Sequence, residues 1–350
     1  MAKIKKIPVG VLSTDWHVKD NNPDILDLIS QQCDVADEKG VDLLLCAGDA
    51  FTSRVGQKVD TLTIMGEVFA LIHARGKKIW LIPGNHDKQN YDSVDSFLTP
   101  YRHFPGVMIV DKAGGIPFDG GVIHMLPYFK EDIWLQKLED LIKYIGKDKG
   151  RKHILISHQA VNGSINNDGS EVSCGIAHSH LMSFDSVFLG HYHDYQQPFP
   201  NTYHIPSIKQ HNFGENTNKG FAVLYSDGSF DIVNSVFKQF IKHKLDLSEV
   251  SVKEALKLIK NALDPVNNIR FELTGSKELL KSFPKEEAES LGVSITMKDI
   301  DVERSLELFE EEIVEYNNQS IADEFELFCE EKGYDTSAGL PHLNKKLQVK

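Results

Sequence analysis

Five apolar segments between residues 8 and 189 each end on side chains that commonly bind metal ions. The segments span residues 8–14, 41–47, 78–82, 152–157 and 186–189, and their length and branched side chains predict buried strands. Apolar residues at helical spacing fill 23–39 and the region around 62–72. Alternating strands and helices favour parallel pairing with helices on the sheet faces, so we predict an α/β fold, α+β overall. Further strand-like segments, the first at 107–110 and the last at 230–233, extend this predicted fold to a β-sandwich flanked by helices.

The polar groups that follow these strands form five short motifs. They are Asp15-Trp16-His17, Gly48-Asp49, Gly84-Asn85-His86-Asp87, His158 and Gly190-His191-Tyr192-His193. Ligands of open α/β sheets bind beyond the carboxyl ends of the strands, so we expect these motifs to meet at one edge. A single motif of this kind is more often a surface group, but five in order favour one functional site.

The residue types indicate a site for two metal ions. Carboxylate, imidazole and amide ligands suit Mn²⁺, Fe²⁺ or Zn²⁺. The carboxylate of Asp49 can bridge two ions, and ions about 3.5–4 Å apart stabilise the attacking and leaving oxygens of a phosphoryl displacement. His86, next to Asn85, is the predicted donor of a proton to the leaving oxygen. The pattern therefore predicts a two-metal phosphoesterase.

These motifs resemble those of the calcineurin-like metallophosphoesterases, and among them the SbcD-type double-strand-break repair nucleases, above all their T-even phage form. The resemblance rests on Thr14–His17, Gly48–Phe51, Gly84–Asp87 and Gly190–His193, with weaker matches at Leu126–Tyr128, Asn162-Gly163, Pro206-Ser207, Glu215 and Lys219–Phe221. It covers nearly the whole chain and is strongest up to about Tyr225. It implies a metallophosphoesterase sandwich followed by a small α+β cap domain and a C-terminal helical tail.

The resemblance also implies the role of each residue. One ion is expected on Asp15, His17, Asp49 and His193, and the other on Asp49, Asn85, His158 and His191. Two Mn²⁺ are the expected ions, with Mg²⁺, Fe²⁺ or Zn²⁺ as alternatives. The expected catalytic residues are His86, Asp87 and Thr52. Together they imply an exonuclease on duplex DNA ends and an endonuclease on single-stranded DNA, active in DNA repair and recombination.

Thr52 departs from the family pattern. The superfamily often has His or Asp at this place, beside the catalytic histidine, whereas threonine brings no charge. We hypothesise that His86 is less firmly oriented here and that the intrinsic exonuclease rate is modest.

The same resemblance predicts the domains and the partners. Residues 1–240 are expected to form the nuclease domain, 241–300 the cap over the DNA, and 301–350 an acidic tail whose stretch 320–334 binds an SbcC-like coiled-coil ATPase. A homodimer is expected through the helix that carries Leu62, Met65, Phe69 and Ile72, although packing on its own sheet explains those residues equally well. His178 and His180 belong to a polar segment that contacts DNA or is merely solvated, and they are not expected to be ligands.

Charge and cysteine content limit the other possibilities. The net charge is −13, but residues 301–331 hold 12 acidic residues and one basic residue, so the remaining chain is nearly neutral and is not excluded from binding DNA. Cys33, Cys46, Cys174 and Cys329 form no CxxC pair, which predicts thiols in a reducing compartment. With no long apolar run and no signal-peptide pattern, we expect no membrane association and a cytoplasmic protein, in the host cytoplasm if phage-encoded.

Two alternatives share the same motifs. A phosphodiesterase or phosphatase for small molecules or phosphoproteins would need the same metal ligands, although it would need neither a cap nor a tail. A non-catalytic scaffold that binds DNA would keep the fold, but its site would be expected to have lost some ligands.

Overall fold

The computed structural model describes residues 6–20, 24–146, 148, 150–166 and 169–300 of the 350-residue chain. The predicted helical tail and the predicted ATPase-binding stretch 320–334 lie outside these residues. The chain divides into two compact units, Met1–Phe240 and Ile241–Lys350.

Two six-stranded sheets form the first unit. Its strands are β1 (Pro8–Ser13), β2 (Leu43–Cys46), β3 (Lys78–Leu81), β4 (Val107–Ile109), β5 (Gly114–Phe118), β6 (Gly121–Leu126), β7 (Lys152–His158), β8 (Ser186–Gly190), β9 (Gln196–Phe199), β10 (Thr202–His204), β11 (Gly220–Tyr225) and β12 (Phe230–Asn234). Its helices are α1 (Asp24–Lys39), α2 (Val59–Ala74), α3 (Glu131–Ile145) and the short α4 (His178–Leu181), with a 3₁₀ helix at Thr99–His103. The sheet orders are β12-β11-β1-β2-β3-β4 and β5-β6-β7-β8-β10-β9.

Alternating side chains build three apolar layers around these sheets. In β1, Val11 packs with residues of α1 and α2 such as Ile29 and Phe69, while its neighbour Leu12 packs between the sheets against residues such as Phe188. Trp134 and other residues of α3 cover the outer face of the second sheet. The predicted α/β sandwich with flanking helices is confirmed, as is the parallel pairing of β1, β2, β3 and β4.

Helix α2 packs on its own sheet through the residues proposed for a dimer. Met65, Phe69 and Ile72 are at most 1% exposed within the core shared with α1 and the first sheet. They are therefore not available as a dimer surface, and a homodimer would need other residues.

The second unit is a small α+β structure. It contains β13 (Phe240–Asp246), α5 (Val252–Asn261), β14 (Asn268–Gly275), α6 (Lys277–Ser282), α7 (Lys285–Glu289) and β15 (Ser294–Asp299), with sheet order β13-β14-β15. Ser251 and Ser276 cap α5 and α6 by accepting backbone N–H bonds. Residues 277–290 form two short helices and not one continuous helix, because the helical backbone breaks at Phe283-Pro284. Proline has no N–H to donate and disfavours helical backbone at the preceding residue.

Among the helices of the described residues, none combines the length and apolar content needed to cross a membrane. Cys33, Cys46 and Cys174 are free thiols, and Cys329 lies outside the described residues.

Candidate metal centre

The candidate site lies where the parallel strands of both sheets end. Beyond β1 and β2 the chain segments continue side by side, because Asp15 N donates to Gly48 O at 3.0 Å and His17 N donates to Asp49 O at 3.0 Å. Asp15, His17, Asp49 and His191 have positive φ angles of 52°, 48°, 52° and 94°. Non-glycine residues rarely adopt this backbone, and such strain concentrates at functional sites.

A first donor group consists of Asp15, His17, Asp49 and His193. Asp15 Oδ1 lies 3.8 Å from both His17 Nε2 and His193 Nε2, and Asp49 Oδ2 lies 3.8 Å from His17 Nε2. Asp15 Oδ1 is buried and has no hydrogen-bond partner among the described residues. An uncompensated buried carboxylate oxygen is costly, so a cation at this position fits the residues present.

The hydrogen bonds of the two imidazoles also favour a cation. Nδ1 of His17 lies 3.3 Å from the Phe51 carbonyl, and Nδ1 of His193 lies 2.9 Å from Glu215 Oε1. Because oxygens of this kind accept, each Nδ1 carries the proton and each Nε2 keeps its lone pair. The two Nε2 atoms lie 3.1 Å apart, so both are close enough to bind the same ion.

A second donor group consists of Asp49, Asn85, His158 and His191. Asn85 Oδ1 lies 3.1 Å from His158 Nε2 and 3.0 Å from His191 Nδ1. His158 donates from Nδ1 to the Ala47 carbonyl at 2.7 Å, which aims Nε2 at the same place. Asp49 Oδ2 lies 3.3 Å from His158 Nε2, so this oxygen faces both donor groups.

The electrostatics of these residues suit bound cations. Burial lowers the pKa of His17 to about 4 and that of His191 to about 3, which leaves both imidazoles neutral and able to ligate. Burial opposes charge on Asp49 as well, but His158 and His17 hold the pKa of this carboxyl well below its usual range. Although burial lowers the pKa of His158, the charge of Asp49 raises it to about 9, so a cation that binds there displaces a proton.

Two glycines leave room for the ligands. A Cβ on Gly84 would collide with the Asp49 carboxylate, and a Cβ on Gly48 would lie 2.7 Å from the His158 ring. Gly48 also has a φ of 99°, which other residues rarely adopt. A side chain at Gly84 would displace the carboxylate that both donor groups share, and a side chain at Gly48 would displace the His158 ring.

His86 lies at the open side of the site. Its Nδ1 lies 2.5 Å from the Thr52 carbonyl, and its Nε2 accepts from Arg54 Nη2 at 2.9 Å. Nε2 also lies 4.0 Å from Asp49 Oδ2. The backbone of Thr52 therefore orients the ring, while the Thr52 hydroxyl donates to the His17 carbonyl at 2.7 Å. The sequence-based hypothesis of a poorly oriented His86 considered only the side chain at position 52.

Asp87 holds the loops behind the site. It is fully buried, and its carboxylate accepts from the backbone N–H groups of Ala50, Phe51 and Gly84 at 2.8–3.2 Å. Burial and the charge of Asp49 raise the pKa of Asp87 to about 7, against the effect of these donors. Both oxygens of Asp87 face the backbone, which indicates that this residue positions the loops, and its catalytic role stays a prediction.

His211 was missed by the sequence analysis. Its ring lies edge-on to His17 and His193, with centroids 4.7 and 4.8 Å away, and its Nε2 donates to the Asp15 carbonyl at 2.9 Å. Glu215 joins the same cluster, since it accepts from His193 and from the backbone N–H of His211 at 3.1 Å. One feature could have pointed to His211. Strand β10 is parallel to β8, so the residues that follow β10 lie at the same edge of the sheet as the predicted ligands that follow β8.

The donor groups open into a cavity of about 410 Å³. It is lined by His17, Lys19, Asp49, Thr52, Arg54, Asn85, His86, Asn166, His191, Tyr192, His193 and His211. The structure thus brings the predicted metal-binding residues together, although their individual roles stay predictions. His178 and His180 are not among the lining residues, and His178 instead stacks on Phe199.

The family of the chain follows from its sequence match. A model of the calcineurin-like phosphoesterase family matches residues 11–195, which is more than half of the chain and includes all the predicted ligands. The chain belongs to the calcineurin-like phosphoesterase family. Phosphoesterases of this family use a dinuclear metal site, and the two donor groups that share Asp49 are the candidate for it here. The protein is accordingly a metal-dependent hydrolase.

Individual relatives of this phosphoesterase are distant. It is 25% identical over 281 residues to putative phosphoesterase 244L of Invertebrate iridescent virus 6, which covers 77% of this chain and 95% of the relative. It is 24% identical over 187 residues to exonuclease subunit 1 of Enterobacteria phage T4, which covers 51% of this chain and 53% of the relative. A solved dimetal phosphatase from Danio rerio aligns with a TM-score of 0.42 and 14% identity, over 63% of this chain and 93% of that one.

Proposed function

We propose that this phosphoesterase is a DNA nuclease that hydrolyses phosphodiester bonds with two Mn²⁺ ions. The observation that carries the hydrolytic part is the pair of donor groups sharing Asp49 Oδ2, with His86 beside them. DNA as substrate is supported by the similarity to exonuclease subunit 1 of phage T4. Exonuclease action on duplex ends and endonuclease action on single strands are both part of the proposal.

The side chains of the centre have separate tasks in this proposal. Asp15, His17, Asp49 and His193 would hold one ion, and Asp49, Asn85, His158 and His191 the other. When bound, two such ions activate water and stabilise the charge on the transferring phosphoryl group. Glu215 and the Phe51 carbonyl keep the Nε2 lone pairs of His193 and His17 directed at the ion, which is the usual task of such hydrogen bonds.

His86 would protonate the leaving oxygen from Nε2. Its Nδ1 proton is held by the Thr52 carbonyl, so Nε2 is the nitrogen that faces the cavity. Arg54 donates to this Nε2, and a bound phosphodiester would draw the guanidinium onto its own oxygens. That exchange would leave Nε2 free to take up a proton from solvent, and the imidazolium so formed would donate this proton to the leaving oxygen and return to its neutral form.

Partners and location are proposals as well. The family resemblance supports an SbcC-like coiled-coil ATPase bound through residues 320–334, a homodimer, and a cap formed by residues 241–300. The viral and phage relatives support action inside the host cell, in its cytoplasm.

A small-substrate phosphodiesterase is the second candidate function. The donor groups and His86 would serve it equally well, and the relatives from iridescent viruses carry only the name of phosphoesterase. The two candidates differ in whether DNA is cleaved.

The deciding experiment compares DNA with a simple diester in the presence of Mn²⁺. End-labelled linear duplex, circular single-stranded DNA and bis-p-nitrophenyl phosphate are incubated with the wild type, Asp49→Asn and His86→Gln, and with Asp140→Asn as a surface control. We expect cleavage of both DNAs by the wild type and the control, and at least a 100-fold loss in both site variants. Hydrolysis of the simple diester alone would favour the small-substrate enzyme, and inactivity of the metal-loaded protein on everything would favour a scaffold.

A further inference from the structure

Two cationic side chains, Lys19 and Arg54, line the cavity next to the metal centre. Within the described part of the chain, neither forms an ion pair, whereas Arg75, Lys77 and Lys209 do with nearby carboxylates. In the same residues, the Arg54 guanidinium has one hydrogen-bond partner, the His86 ring.

The backbone brings these two cations to one side of the cavity. The segments after β1 and β2 run parallel as far as a bridge between Val18 and Phe51, with Val18 N donating to Ala50 O at 2.8 Å and Thr52 N to Val18 O at 3.3 Å. Lys19 follows Val18 directly, and Arg54 lies two residues beyond Thr52. Both therefore leave the same end of this ladder, just past the ligands His17 and Asp49.

Side-chain contacts keep the two loops together. Lys58 forms an ion pair with Asp20, which joins the segment after Arg54 to the residue after Lys19. Gln57 donates to the Ser53 carbonyl at 2.7 Å, and Gln89 donates to the Val55 carbonyl. Arg54 is exposed, but the loop that carries it is held by these contacts.

We propose that Lys19 and Arg54 form an anion subsite that holds the phosphate next to the scissile one in a nucleic acid strand. The inference rests on the proposed function, since it assigns a neighbour to the phosphodiester at the metal centre. A guanidinium suits the non-bridging oxygens of a phosphate, and Lys19 adds a second charge. Arg54 contacts His86, the residue proposed to face the leaving oxygen, so the subsite adjoins the scissile bond. The preferred substrate class is a strand with at least two consecutive phosphates.

The test compares substrates that differ by one phosphate. The thymidine dinucleotide TpT has one phosphodiester, and its 5′- and 3′-phosphorylated forms add a phosphate on one side or the other. With Mn²⁺ we expect kcat/KM for one of the phosphorylated forms to exceed that for TpT by about 10-fold in the wild type. The ratio should fall to about 1 in Arg54→Ala, decrease in Lys19→Ala, and be largely kept in Arg54→Lys. Each ratio compares two substrates of the same variant. A change in catalysis by His86 that the substitution causes would affect both substrates and would cancel in the ratio.

Lys143→Ala, which removes an exposed lysine of α3, is the matched control and should keep the wild-type ratio. A ratio near 1 in the wild type, or an unchanged ratio in Arg54→Ala, would overturn the subsite while leaving the nuclease proposal intact. If none of the three dinucleotides is turned over, the proposed function still depends on the DNA cleavage experiment, and calorimetric measurement of dinucleotide binding to the Mn²⁺-loaded protein tests the subsite. A higher affinity for a phosphorylated dinucleotide that Arg54→Ala removes supports the subsite, and equal affinities refute it.

Discussion

At the scale of single residues, the orientation of His86 depends on the main chain. The Thr52 carbonyl accepts from its Nδ1, and a substitution at position 52 leaves that carbonyl in place. We expect Thr52→Ala to change kcat on bis-p-nitrophenyl phosphate by less than about threefold, compared with a loss of at least 100-fold in His86→Gln. Steady-state kinetics with Mn²⁺ measure both. A loss in Thr52→Ala as large as that in His86→Gln would show that the hydroxyl matters, through its bond to the His17 carbonyl.

His211 is expected to strengthen metal binding at the first donor group. It donates to the carbonyl of Asp15 and packs against the rings of His17 and His193, so it fixes ligands without being one of those predicted. Loss of such a supporting residue typically weakens metal affinity by about 10–100-fold. Calorimetric titration of the metal-free protein with Mn²⁺ should show one of two binding steps weakened in His211→Leu. His178→Gln, outside the cavity, is the control, and two unaltered steps in His211→Leu would contradict the assignment.

The sequence could identify the predicted ligands because each lies in a short motif near the end of a strand. The contacts of His211 and Arg54 are made only by the fold, and no such motif marks them. Asp15, Asn85 and His191 each lie within four residues of the end of an apolar strand, and parallel strands share an edge. His211 follows the short strand β10 at a distance of seven residues, and its neighbours along the chain include none of the predicted ligands. The contacts of Asp87 were not predictable for a similar reason, since only the fold shows which N–H groups its carboxylate accepts from.

At the scale of elements, a buried pair of histidines joins β6 to β7. His124 is 2% exposed, and its Nε2 lies 2.9 Å from Nδ1 of His153, whose Nε2 donates to the Asp148 carbonyl at 3.1 Å. Burial, reinforced by His153, lowers the pKa of His124 to about 4, from 6.5 in the unfolded chain. As the pH falls, His124 therefore gains a proton in the unfolded chain at a higher pH than in the folded protein. The contribution of His124 to stability is complete above about pH 6.5 and is lost between about pH 6.5 and pH 4.

We expect this pair to make the protein sensitive to acid. Between pH 7.5 and pH 5 the free energy of unfolding should fall by about 1–2 kcal/mol more in the wild type than in His124→Gln, which can still donate to His153. Urea unfolding at the two pH values measures the difference, and other histidines cancel in the comparison. Equal pH dependence in the two proteins would show that His124 does not titrate as its burial requires.

Element prediction from the sequence succeeded for the central strands of both sheets and for the edges of the first sheet, and it failed at the edges of the second. β1, β2, β3, β7 and β8 are apolar because both faces are covered, and their positions were predicted within about two residues. β5 and β9 lie at the edges of the second sheet and contain Pro117 and Pro198. Proline is tolerated at an edge, and partial burial requires no apolar run, so neither strand had a strong signal. Helix α3 did have a strong signal, because Trp134, Leu138 and Ile145 are apolar residues at helical spacing, but the sequence analysis overlooked it.

At the scale of the whole molecule, metal binding is expected to contribute to stability. The buried carboxylate of Asp15 has one oxygen, Oδ1, without a hydrogen-bond partner among the described residues when no cation is bound. Excess Mn²⁺ should raise the melting temperature of the metal-free protein by about 5 °C or more, which calorimetry can measure. Asp15→Asn removes one buried charge, so its metal-free form should melt no lower than the metal-free wild type and gain less from Mn²⁺. A metal-free variant that melts well below the metal-free wild type would contradict this account.

The donor groups draw on both layers of the sandwich, and this has a consequence for the protein during its synthesis. The first sheet supplies Asp15, Asp49 and Asn85, the second supplies His158 and His193, and β11, at residues Gly220–Tyr225, pairs beside β1. A chain growing on the ribosome therefore lacks a complete hydrolytic centre until well over half of it has been translated. The nascent chain therefore cannot hydrolyse its substrate while it is being made, and the hydrolytic centre is completed only as the two sheets of the sandwich pack together.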